Sequence, residues 1–223
     1  MKTLKCALGF LILISLVSAA SVMASDKKVV SALEPVEIHQ YQGKNLSLIS
    51  DFRENSIAGP QKVSLETYRL KIRGLVEHPL TLTYAQVLAY DHHSKVVTLH
   101  CVEGWDVTIL WEGVLLEALL ANAGVQRDAV TVIFHAVDGY SSSLPLEYVR
   151  RNRILLAFKI NGLTLPTERG FPFQVVAESK WGYKWVKWVS AIELSADRNY
   201  RGYWESRGYN NNGDWPGPMF ELQ

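Results

Sequence analysis

After residue 24 the chain carries a single cysteine, Cys101, so it can close no internal disulfide. A fold without that staple has to be held by a buried apolar core. With 48% hydrophobic against 20% charged residues, the composition supplies one. The stretch from Ser25 onward has the length of one large domain or two very small ones. The thiol itself admits two readings. It is a small apolar residue buried on a strand, or its thiolate is a metal ligand or a nucleophile. It sits in the run Val96-Val97-Thr98-Leu99-His100-Cys101-Val102-Glu103-Gly104-Trp105, and the surroundings decide between the two.

The other cysteine, Cys6, lies in an apolar stretch from Cys6 to Val22 that follows Lys2 and Lys5 and ends in Val22-Met23-Ala24. That is the pattern of an export signal over residues 1–24, cleaved after Ala24, with a retained membrane anchor as the second reading. Residues 25–45 read as a flexible leader and residues 46–223 as the domain proper. Lys+Arg 23 against Asp+Glu 22 leaves a net charge of +1, without the basic stripe that nucleic acid requires. The expected location is therefore periplasmic or otherwise exported.

Hydrophobic periodicity predicts many short elements. Tyr68 to Arg73 alternates as a half-buried strand. Thr83-Tyr84-Ala85-Gln86 is a capping box opening a short helix to about Tyr90. Val96 to Val102 reads as a strand carrying Cys101, and Val107 to Trp111 as extended. Leu115 to Ala123 is an amphipathic helix stopped by Gly124. Thr131 to Val137 and Ile154 to Ile160 are strands, with a brief helix from Pro145 to Val149 between them. Asn161-Gly162 is a hairpin turn into Leu163 to Leu165. Phe173 to Ala177 and Lys187 to Leu194 complete the strands, and Asp197 to Gln223 is an ordered but irregular tail. The class is α+β, strand-rich mixed sheets with short helices.

The histidines have no metal-site spacing: His92-His93 are adjacent in a polar loop, and His100 and Cys101 alternate to opposite faces of a strand. No haem-attachment or nucleotide-binding motif is present. A cysteine hydrolase would have to be built from Cys101, His135 and Asp138. In Lys180-Trp181-Gly182-Tyr183-Lys184-Trp185-Val186-Lys187-Trp188, lysines interleave with aromatics. The run suits an anion such as a phosphate, and equally an exposed strand with solvated lysines. Seven tryptophans and ten tyrosines crowd toward the last third, where they either wall a pocket or pack the core.

Taken in order, these segments resemble the molybdopterin-binding domain of the sulfite oxidase family. The similarity is greatest to its small haem-free bacterial periplasmic members, such as methionine sulfoxide reductase catalytic subunits. Thr98 to Trp105 resembles the segment whose cysteine binds molybdenum. Arg53-Glu54-Asn55 resembles an early active-site and pterin-binding segment, and Asp138 to Pro145 the stretch bearing the active-site tyrosine, here Tyr140. Arg169 to Val176 resembles the pterin-phosphate segment, and Lys184-Trp185-Val186-Lys187-Trp188 the last cofactor-binding turn. Gly202 to Tyr209 is similar to the tails of bacterial members.

The resemblance implies a molybdenum-molybdopterin cofactor with Cys101 as metal ligand, and Tyr140 and Arg53 beside the substrate. Arg53, Glu54, Asn55, Arg169, Gln174, Lys184, Trp185, Val186 and Lys187 would hold the pterin. It implies oxygen-atom transfer to or from a small substrate such as sulfite or a sulfoxide. A separate electron-transfer partner is expected, a cytochrome or membrane haem protein, because no immunoglobulin-like or haem domain accompanies the motifs. The sequence departs from the family pattern in three places. Gln174 stands where arginine is frequent, Arg169 stands where histidine or asparagine is frequent, and no twin arginine precedes the apolar stretch. Gln174 and the missing twin arginine are the features that favour the alternative, a non-catalytic pterin- or anion-binding module on the same fold.

Overall fold

The computed structural model describes residues 37–221, so the expected signal or anchor and most of the expected leader lie outside the described residues. The last residues of that leader are not loose. Glu37 is buried, and its Oε1 accepts hydrogen bonds from Ile49 N–H and Asn161 Nδ2, each at 2.7 Å. It leads into a small hairpin of β1 (Gln40–Tyr41) and β2 (Lys44–Asn45).

The elements that follow are β3 (Leu70–Gly74), β4 (Leu80–Leu82), α1 (Tyr84–Leu88), β5 (His92–His100), β6 (Asp106–Leu115), α2 (Leu116–Ala123) and β7 (Thr131–Ala136). Then come β8 (Ser141–Pro145), α3 (Leu146–Arg151), β9 (Leu155–Ile160), β10 (Leu163–Thr164), β11 (Gln174–Val176) and β12 (Val189–Ser195). One sheet runs β10-β9-β6-β5, with β11 also paired to β9. The other runs β4-β3-β12-β7-β8, where β12 is parallel to β3 and the remaining pairs are antiparallel. The α+β class with mixed sheets and short helices is what the sequence predicts. Among the described residues, no helix is long and apolar enough to cross a membrane.

Local signals explain much of this. Thr83 Oγ1 accepts from Gln86 N–H while Gln86 Oε1 accepts from Thr83 N–H, which closes the capping box of α1. The buried stripe of α2 is Leu116, Leu119, Leu120 and Ala123, and Gly124 ends the helix at φ 68°. Asn161 and Gly162, at φ 46° and 83°, give the left-handed pair that a tight β9–β10 hairpin needs. Gly113 marks a register shift between β6 and β9, where a Cβ would fall 2.4 Å from the Leu156 carbonyl oxygen.

The Cys101 region differs from the expectation. β5 begins at His92, so His92 and His93 are strand residues rather than loop, and it ends at His100. Cys101 lies past the strand. Its N–H donates to Trp105 O at 2.9 Å, and Gly104 N–H donates back to Cys101 O at 3.1 Å, closing a tight connection into β6. Ser141 to Ser143, which lack a strand's apolar alternation, nevertheless form β8 on the edge of the second sheet.

Candidate active site

The turn at Cys101 opens onto a cavity of about 300 Å³. The segment after Lys180 lies against it: His100 bridges to Trp181, and a Cβ on Gly182 would be 3.5 Å from Cys101 Cα. Cys101 is buried, and that burial pushes its thiol above the ordinary range. The Glu103 backbone and the Asn55 side chain oppose the rise by hydrogen bonding to the sulfur, as does the charge of Arg53.

On one side of the cavity is a basic pole. Arg169 is buried, its guanidinium stacked 4.8 Å from the Phe52 ring centre. It donates to the backbone carbonyls of Arg53 (3.2 Å) and Phe52 (3.4 Å). Burial lowers its pKa, which Glu54 and Glu168 partly offset. Its Nε is buried with no acceptor. Gly170, at φ 96°, brings Gln174 and Lys187 together, for a Cβ there would lie 3.1 Å from Lys187 Cβ and 3.2 Å from Gln174 Cβ. Lys187 donates to Glu54 Oε2 at 3.0 Å and to Glu168 O at 3.3 Å. Its pKa is lowered by burial and restored in part by Glu54.

On the other side is an aromatic pole. Tyr140 O–H donates to Tyr183 O at 2.5 Å, and burial, then Glu205, hold its pKa well up, so it stays protonated. Trp204 and Tyr209 from the C-terminal tail complete this wall with Tyr183.

Of the residues expected at the site, the cavity is lined by Arg53, Asn55, Cys101, Tyr140, Arg169, Gln174, Trp185 and Lys187. Glu54 stands behind Lys187 as its counter-ion. Val186 is buried in the core, its carbonyl accepting from Val175 N–H at 2.9 Å. Lys184 does not face the cavity. It is sealed against Glu205, Nζ to Oε1 2.6 Å, with both side chains 0% exposed. Burial pulls the Lys184 ammonium down and the Glu205 carboxylate pulls it back. Lys180 is likewise engaged, by Asp214 at 2.5 Å. The lysine run is therefore neither a solvated strand nor a common anion cradle, and only Lys187 reaches the cavity.

The hydrolase arrangement is not assembled. His135 Nε2 pairs with Glu193 Oε2 at 3.0 Å on the neighbouring strand, and His135 is absent from the cavity wall that holds Cys101. Asp138 lines the cavity but accepts from Tyr140 N–H at 3.0 Å. Trp105, Trp204, Glu205 and Tyr209 fall within segments the resemblance marks, Thr98 to Trp105 and Gly202 to Tyr209, but the sequence assigns none of them a role at the site. Aromatic crowding toward the C-terminus points to the rings, and nothing local connects the buried Glu205 to Lys184.

The donor set fits a cofactor that combines a soft metal with a phosphate. One thiol offers a metal ligand. The buried, unpaired Arg169 Nε beside Lys187 and Gln174 calls for an acceptor from outside the chain. Residues 57–204 match the family model described as the oxidoreductase molybdopterin binding domain, and the chain belongs to that family. It is thus a molybdopterin-dependent oxidoreductase domain of the sulfite oxidase type, whose cofactor is molybdenum-molybdopterin.

The chain is 34% identical over 163 residues to the uncharacterized oxidoreductase YuiH of Bacillus subtilis (strain 168), covering 72% of this chain and 82% of that protein. To the protein-methionine-sulfoxide reductase catalytic subunit MsrP of Gluconobacter oxydans (strain 621H) it is 31% identical over 145 residues, covering 57% of this chain and 46% of the relative. Rat mitochondrial sulfite oxidase is 28% identical over 204 residues, with 77% of this chain and 37% of that protein covered. Among solved structures, the sulfane dehydrogenase SoxCD of Paracoccus pantotrophus superposes with a TM-score of 0.63 at 26% identity, covering 73% of this chain and 48% of that one. The chain spans under half of the last three.

Proposed function

We propose that this domain transfers an oxygen atom to or from a small sulfur substrate, a sulfoxide or sulfite, and exchanges paired electrons with a separate cytochrome or membrane haem protein. The observation that carries the reading is the coincidence, in one cavity, of the buried thiol Cys101 with the acceptor-less Arg169 Nε. Cys101 would ligate the metal. Arg169, Gln174 and Lys187 would hold the pterin phosphate, with Glu54 keeping Lys187 in place. When bound, the group supplies the two-electron redox chemistry.

The chain's own contributions are orientation and charge. The Asn55 hydrogen bond and the Arg53 charge favour the thiolate of Cys101. Arg53 lines the cavity with a guanidinium free of carboxylate partners among the described residues, and would stabilise the charge that develops as an oxygen atom leaves or arrives. Tyr140, whose O–H donates to the backbone carbonyl of Tyr183, fixes the turn that backs Cys101. Trp185 and Trp188 shield the cavity from water. The N-terminal sequence supports export, and the MsrP relative supports a sulfoxide substrate.

The test is elemental analysis of protein matured in a molybdenum-competent host. About one molybdenum per chain is expected, with oxygen transfer lost in Cys101→Ser. Metal-free protein, or a fully active Cys101→Ser variant, would overturn the proposal.

A further inference from the structure

The hydrogen-bond donors already taken around the cavity define what it can offer a substrate. Tyr140 donates to Tyr183 O and Tyr183 O–H donates to Asn210 O at 2.7 Å. The indole N–H of Trp105 goes to Glu103 Oε2 at 3.3 Å, that of Trp185 to Lys180 O at 3.0 Å, and that of Trp188 to Thr167 O at 2.7 Å. Lys187 is paired with Glu54. On the aromatic wall two donors have no acceptor among the described residues, the Trp204 N–H and the Tyr209 O–H. Their rings lie 5.2 Å apart at 48°.

Trp204 is pinned on both sides. Before it, Gly202 crosses β8 so closely that a Cβ would lie 2.2 Å from Ser141 O, and Tyr203 N–H donates to the same oxygen at 2.9 Å. After it, Glu205 is locked to Lys184 in the core. Tyr203 also packs edge-on against the Trp204 ring at 5.2 Å. A donor held this way is pre-organised for a partner it does not find within the protein.

We infer that Trp204 and Tyr209 form the substrate side of the site, their N–H and O–H donating to the oxygen of a neutral sulfoxide whose organic groups lie on the aromatic wall. This rests on the oxygen-transfer reading above. Of the cations lining the cavity, Lys187 is neutralised by Glu54, and Arg169 faces the pterin pole of that reading. Arg53 alone remains for a substrate, too little charge to balance a desolvated dianion. A sulfoxide needs only dipolar donors for its oxygen, and its sulfur gains from contact with aromatic rings.

The test compares wild-type holoenzyme with Trp204→Phe and Tyr209→Phe, using methyl phenyl sulfoxide. Each variant keeps its ring and loses one donor. Each should raise KM roughly three- to tenfold, the range for one neutral hydrogen bond, with kcat changed less than about twofold. Molybdenum content and melting temperature should stay at wild-type values. Calorimetric binding of the sulfoxide to the same proteins reads the donors independently of turnover. Binding weakened by Trp204→Phe in a protein that transfers no oxygen would sink the functional reading and leave this one standing. Binding and KM unchanged in both variants would overturn this one, as would a loss of molybdenum in step with the loss of affinity.

Discussion

Removing the charge at Lys184 should cost this fold more than any substitution on its surface. The ammonium lies 2.6 Å from Glu205 Oε1, donates also to Asn211 O at 2.9 Å, and is out of contact with water. Glu205 Oε1 accepts in addition from Ser142 Oγ at 2.5 Å, and Glu205 Oε2 has no partner at all. Lys184→Met keeps most of the buried stem and leaves the carboxylate with one hydroxyl donor. Breaking a buried pair from one side costs about 3–5 kcal/mol. For a chain of this size that lowers Tm by roughly 6–20 °C. Lys184→Met with Glu205→Leu removes both charges and fills the space, so it should be less damaging than either single change. Its remaining cost is about 1 kcal/mol each for the Ser142 hydroxyl and the Asn211 carbonyl, which lose their partners. Urea unfolding followed by tryptophan fluorescence gives all the needed free energies in one cycle. A Lys184→Met protein within about 1 kcal/mol of wild type would refute the reasoning, as would a double variant as unstable as the sum of the singles.

Other expectations are more local. Asn161→Ala removes the side chain that accepts from Leu110 N–H and donates to Glu37 and Ser47. It should lower the urea unfolding free energy by roughly 2–4 kcal/mol and open residues 37–45 to protease. Gly202→Ala drives a methyl into the Ser141 carbonyl and should destabilise by about 2 kcal/mol or more, with the tail the first segment cleaved in limited proteolysis. In metal-free protein, burial holds the Cys101 thiol above its unfolded value. At a given pH the folded form then has less thiolate, so iodoacetamide should label it more slowly than the urea-unfolded chain. Asn55→Leu, which removes a hydrogen bond to the sulfur, should slow labelling further.

What the sequence reveals best is whatever is decided within a few residues. The Thr83 capping box, the Gly124 stop and the Asn161-Gly162 hairpin are local agreements of side chain and backbone, and each element lies where its signal stands. The cavity residues Arg53, Asn55, Cys101, Tyr140, Arg169 and Lys187 come from distant segments, and composition and periodicity alone say nothing of their meeting. They were legible through resemblance. Lys184 shows the limit of that. Its neighbours carry a pterin-binding pattern, yet it is drawn inward by Glu205, a partner that no spacing rule connects to it. β8 was missed for a related reason, since Ser142 is buried by accepting a role in the same ion-pair network rather than by being apolar. Cys101 leaves its strand because Gly104 allows a turn that alternation cannot reveal.

The Glu205 anchor also bears on where this domain can be cut. The family match covers residues 57–204. Phe52, Arg53 and Asn55 precede it, and Tyr209 follows it, yet all four line the cavity. A fragment trimmed to the matched range would lose both lips of the pocket and strand the Lys184 ammonium in the interior. The matched range holds most of the scaffold, and the residues just before and just after it are what turn that scaffold into a closed site.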